Sequence, residues 1–138
     1  MKKSIVFLSA FFFAVSLNAH ELFVETKNNV IKFKTDIADT REKQEYGLMF
    51  QNSIPNDYGM TFLYSGEKVI SMWMKNTYIP LDMVFFDKQG YVVHIIKNAQ
   101  PHDLSPKSSV VPVKGVIEMN AGLVEKNGIS VGDKIVIK

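Results

Sequence analysis

The chain has 138 residues, 46% hydrophobic and 22% charged, a composition that suits one globular domain with a single core. Of its 16 basic residues, Lys2 and Lys3 lie at the very start, so residues 20–138 carry 14 basic against 14 acidic groups and offer no strongly charged surface for nucleic acid or an anionic membrane. Cysteine is absent, which excludes disulfides, thiolate zinc sites and thiol catalysis.

The opening MKKSIVFLSAFFFAVSLNA has a basic start, an apolar run over residues 5–15 broken only by Ser9, and a small residue at Ala19. That is the pattern of a cleaved signal peptide over residues 1–19, and the run is shorter than the roughly 20 residues that span a bilayer. An uncleaved anchor is the competing reading. The expectation is therefore an exported protein, periplasmic or secreted, with one domain over residues 20–138 and no integral membrane span once the signal is removed.

In VIKFKTDI, Ile31, Phe33, Thr35 and Ile37 alternate with Lys32, Lys34 and Asp36, which predicts a half-buried strand. Asp39 is placed to cap a short helix, TREKQEY, with Glu42 completing a capping box and Gly47 ending it. MTFLY is a strand between the turns NDYG and SGEK. VISMWM and LDMVFF are expected to pair as a hairpin, with NTYIP connecting them. YVVHIIK, VKGVIEM and DKIVIK are further strands, LVEKN is a short helix ending at Gly128, and NAQPHDLSPKSSVVP is a long polar loop. The fold expected is α+β, with about seven strands in a mainly antiparallel, strongly curved or barrel-like sheet, and two short helices.

The segment MWMKNTYIPLDMVFFD places Lys75, Asn76 and Asp82 within an apolar run. If Met74 faces Met83 across the hairpin, Lys75 lies opposite Asp82 on the face that carries Trp73, Val84 and Phe86. A one-residue slip would exchange the faces. Such a pair is either a salt bridge ordering the loop, with the ammonium near the indole, or a polar hairpin mouth awaiting a ligand. Asn76 could simply support the turn.

Several strings, in order, resemble one family of bacteria and archaea, domain of unknown function 192 (DUF192): IADTREKQEYGLMF, GMTFLY, MWMKNTYIPLDMVFFD, IEMNAG and NGISVGDKI. The positions carrying the resemblance are Gly47, Leu48, Met49, Trp73, Met74, Lys75, Asn76, Thr77, Pro80, Leu81, Asp82, Glu118, Asn120, Ala121 and Gly122. The resemblance implies a compact single domain, often behind a signal peptide, and no particular activity. Many relatives carry cysteines in the long loop where this chain reads PHDLSPKSSVVP, so a role built on those thiols is absent.

Three functional classes follow. The first is a binding or accessory module for a small polar or anionic ligand, or for an envelope protein, using Trp73, Lys75, Asn76 and Asp82 with Arg41, Glu118 and Asn120. The second is an enzyme using Lys75, Asp82 and Glu118 in acid–base chemistry, although the chain lacks GxSxG, HExxH and a phosphate-binding glycine loop. The third is copper binding by His20, Met72 and Met74, set against methionine's ordinary use as core filler. No bound cofactor is expected. If the family strings serve only the fold, specificity would fall to the loop at 98–112.

Overall fold

The computed structural model describes Phe13 and residues 19–138. The expected signal peptide, residues 1–19, thus lies outside the described residues apart from Phe13 and Ala19. The predicted alternation at the start of the domain holds: in β2 (Val30–Thr35), Phe33 and Thr35 are buried while Lys32 and Lys34 are exposed. This strand pairs with β1 (His20–Glu25), which in turn pairs with β10 (Lys134–Ile137), giving a three-stranded antiparallel sheet. Five strands form the main sheet. They are β3 (Ile37–Ala38), β4 (Gly59–Lys68), β9 (Val113–Asn120), β6 (Leu81–Phe86) and β7 (Val92–Ala99), in that spatial order. All neighbours in it are antiparallel except β3 with β4. β5 (Ser71–Met72) and β8 (Lys107–Ser108) make a separate two-stranded ladder.

The main sheet is covered on both faces, so every residue of β6 is buried. One face packs Val84, Phe86, Ile117 and Met119 against Leu22, Val24, Phe33 and Ile135 of the smaller sheet, and against Leu123 and Val124 of α2 (Leu123–Lys126). The other face packs Met83, Phe85, Val116 and Phe62 under the segments around Leu48, Ile54, Ile70, Met72 and Met74. Gly115 is required at the crossing of β4 and β9, because a Cβ there would run into the Phe62 carbonyl and come within 2.6 Å of the Phe86 ring.

Helix α1 (Arg41–Tyr46) forms where expected and ends at Gly47, whose φ is +50°. Its cap is Thr40 rather than Asp39: the Thr40 hydroxyl accepts from the Lys43 N–H at 3.2 Å. The α+β class and the two short helices are as expected, whereas the sheets do not close into a barrel and the described strands number ten. β1, β3 and β8 account for the difference, since none shows a long alternating run. SGEK is not a turn, because β4 continues through it to Lys68 with a register shift after Leu63. The expected VISMWM–LDMVFF hairpin does not form. β6 pairs with β7 and β9, and only Ser71 and Met72 of the first arm are strand, paired to the long loop.

Candidate functional site

Asp82 points away from the segment that carries Lys75. It shares the face of Val84 and Phe86, is 1% exposed, and accepts three backbone N–H bonds: from Asn98 at 2.9 Å, and from Gly122 and Val124 at 3.0 Å each. Anionic oxygens facing N–H groups at the start of α2 are in a favourable position, and their partners are already supplied by the chain. Pro80 and Leu81 belong to the same latch: the Pro80 carbonyl accepts from Ala121 N–H, and Leu81 pairs with Asn120. Asn120 donates to the Ile54 carbonyl at 2.8 Å and to Asn56 at 2.9 Å. The expected Lys75–Asp82 pair is thus corrected, because one residue follows the segment bound to the long loop while the other is buried in the main sheet.

Lys75 is exposed, lies 5.1 Å above the centre of the Trp73 ring, and enters none of the ion pairs among the described residues. Beside it, Asn76 adopts a φ of +50° and its carbonyl accepts the Phe50 N–H at 2.9 Å. Phe50 and His102 are also left-handed, and the His102 N–H bonds the Thr77 carbonyl at 3.2 Å. Rings of Tyr46, Phe50, Tyr78 and His102 touch in series at 5.5–6.0 Å, so three loops are braced against one another. Left-handed backbone at non-glycine residues is sustained only by such bracing.

The loops surround a small pit with a volume of about 20 Å³. Gly47, Leu48 and Met49 line one side, Met72, Trp73, Lys75 and Thr77 the other, and Glu118 lies among them. Glu118 is 3% exposed, and no hydrogen bond among the described residues reaches its carboxyl. Burial alone pushes its pKa up to about 8, so at neutral pH the group is chiefly protonated. Its cross-strand neighbours are both methionines, Met60 on β4 and Met83 on β6. The Tyr64 hydroxyl contacts the Met72 sulfur at 3.7 Å, and its pKa is raised to about 12 by burial and then by the Glu118 charge. At the rim, Glu45 pairs with the exposed Arg41 at 2.9 Å.

The strings that carry the family resemblance therefore divide in space. Pro80, Leu81, Asp82, Asn120, Ala121 and Gly122 build the latch, while Gly47, Leu48, Met49, Trp73, Lys75, Thr77 and Glu118 line the pit. Sequence reasoning named Trp73, Lys75 and Glu118 but gave Met49 no role, although it lies in the GLM string. Tyr64 and Glu45 carried no signal at all. Of the copper candidates, Met72 lines the pit, Met74 is wholly buried outside it, and His20 starts β1 and lines a separate groove. That groove is wider, about 840 Å³, and several of its polar side chains are already engaged. Asp36 accepts from Tyr58 at 3.0 Å, Asp39 pairs with Lys43 at 3.8 Å, and Thr40 caps α1. Among the described residues no three histidine, aspartate or glutamate side chains gather as a metal site, and no helix is long and apolar enough to cross a membrane.

The family model DUF192, described as Uncharacterized ACR, matches residues 22–137. A crystal structure of a proposed transcription regulator from Sinorhizobium meliloti 1021 is 34% identical, with a TM-score of 0.86, 91% of this chain covered and 98% of that one. A protein of unknown function from Novosphingobium aromaticivorans DSM 12444 is 33% identical, with a TM-score of 0.85, 92% of this chain covered and 94% of that one. No curated protein matches.

Proposed function

The chain belongs to the DUF192 family, and from that premise we propose that it is an exported binding module whose site is the pit above Glu118. The observation that carries the reading is the Glu118 carboxyl itself. No buried side-chain oxygen or nitrogen among the described residues is left without a partner, so the carboxyl, which makes no hydrogen bond within the described chain, meets solvent through the pit, where a ligand can replace that water. The pit admits only a small group, about the size of one water, so the ligand enters by its tip while any larger body rests on Trp73 and Tyr46. Glu118 favours a tip that is cationic or donates a hydrogen bond, which moves the preference away from an anion. Lys75, held over Trp73, orders the rim and steers approach.

Export rests on the pattern of residues 1–19, with Lys2 and Lys3 before the apolar run. The transcription-regulator description of the Sinorhizobium protein finds little support here, since residues 20–138 carry balanced charge. Catalysis is also less favoured: Lys75 and Asp82 are not together, and Glu118 is left as a lone acid.

The test is an NMR screen of small amines, amides and alcohols against the labelled protein. Shifts should centre on Met49, Trp73, Lys75 and Thr77, and Glu118→Leu should abolish them while preserving the remaining spectrum. Shifts confined to the groove at His20 and Asp36 would contradict the assignment.

A further inference from the structure

Methionine is not spread evenly through this fold. Met49 and Met72 line the pit with Glu118, and Met60 and Met83 flank Glu118 in register on the two neighbouring strands. Directly opposed residues of antiparallel strands share a face, so two methionines flank Glu118 within the sheet and two more, Met49 and Met72, line the pit onto which its carboxyl opens. The Tyr64 hydroxyl lies 3.7 Å from the Met72 sulfur, and Met72 lines the same pit as Glu118. The Met49 sulfur has only a long contact, 4.0 Å from the Asn76 amide. An apolar core filler would have done as well as any of these methionines if packing were the sole demand, and a carboxyl would not have been placed among them.

Resting on the pit as the binding site, we infer that its ligand is a single soft monovalent cation, Cu(I) or its analogue Ag(I), held by the thioethers of Met49 and Met72 with the Glu118 carboxylate. Thioether sulfur selects such ions over hard divalent cations, and a volume of about 20 Å³ is enough for one ion. One carboxylate neutralises one positive charge, so the filled site is neutral inside the core. Binding releases the Glu118 proton to solvent, with no change of oxidation state. The groups facing Glu118 are Tyr58, just before β4, and Tyr64 of β4, both with raised pKa values, and at the rim Lys75 and the Arg41–Glu45 pair. Glu45 is already neutralised by Arg41, and the Lys75 ammonium is held over the indole at the rim.

The experiment is a titration of the purified protein with Ag(I), and with Cu(I) under anaerobic reductant, followed by emission of Trp73, the sole tryptophan, and by calorimetry. One equivalent should bind and change the emission. Met49→Leu and Met72→Leu, which nearly conserve volume, should each weaken binding at least tenfold while the melting curve is retained. Met74→Leu, outside the pit, should leave affinity unchanged. Glu118→Gln, which removes the carboxylate charge but keeps the shape, should also weaken binding. Absence of binding, several weak equivalents, or affinity indifferent to both methionine variants would overturn the inference. If the ion fails but amines or amides still shift the pit residues, the cation class falls and the pit stands as the binding site. If neither binds, both readings fall.

Discussion

Replacing Glu118 by glutamine keeps the shape of the side chain and removes its titration, which isolates the cost of placing an acid in this core. The ordinary carboxyl value of 4.5 is raised to about 8 by burial alone. Below pH 4.5 the acid is protonated in both folded and unfolded chains and adds nothing to pH dependence. Above that value the unfolded chain gives up the proton while the folded one keeps it, so the unfolded state binds fewer protons and stability falls as pH rises. The fall continues until about pH 8, where the folded group also ionises. Each pH unit in this window costs about 1.4 kcal/mol, so between about pH 5 and pH 8 the wild type should lose about 4 kcal/mol relative to Glu118→Gln. That is a large share of the 5–15 kcal/mol typical of a domain. Urea denaturation of both proteins at several pH values, without added metal, measures the difference directly. A difference that stays within about 1 kcal/mol across the window, or that grows in favour of the wild type, would refute the picture of a desolvated acid.

Asp82→Ala strips the acceptor from three backbone N–H groups and should cost about 3–5 kcal/mol in urea unfolding, with hydrogen exchange accelerating first at Asn98, Gly122 and Val124. Lys75→Ala, by contrast, removes a cation–π contact at an exposed site and should lower stability by less than about 1 kcal/mol, while ligand affinity at the pit changes. A loss of several kcal/mol there would show Lys75 to be structural. Gly115→Ala should yield insoluble or unfolded protein on expression, because the added methyl meets the Phe62 backbone and the Phe86 ring; a soluble variant with an unchanged melting temperature would contradict that close approach. Tyr64→Phe should leave the fold intact and reduce Ag(I) affinity by less than either methionine variant, since Tyr64 orients the Met72 sulfur rather than holding the ion.

The sequence by itself determined the local elements and the family. Alternation in VIKFKT, the glycine stop at Gly47 and the buried run LDMVFF each act over a few residues, so the sequence pattern specifies them without knowledge of the fold. It also offered Trp73, Lys75 and Glu118 among its candidate binding residues. The pairing of LDMVFF was decided elsewhere. A strand buried on both faces has no polar side to announce its neighbours, and β6 lies between β7 and β9 rather than beside the segment that precedes it. That choice sends Asp82 to one face, as a latch for Asn98 and α2, and leaves Lys75 on Trp73 at the other. It equally brings Met49, Met72 and Glu118, distant in the chain, around one small opening. Convergence of this kind depends on long-range strand order, which short periodic patterns do not encode, and so only the tertiary structure could turn a family signature into a site.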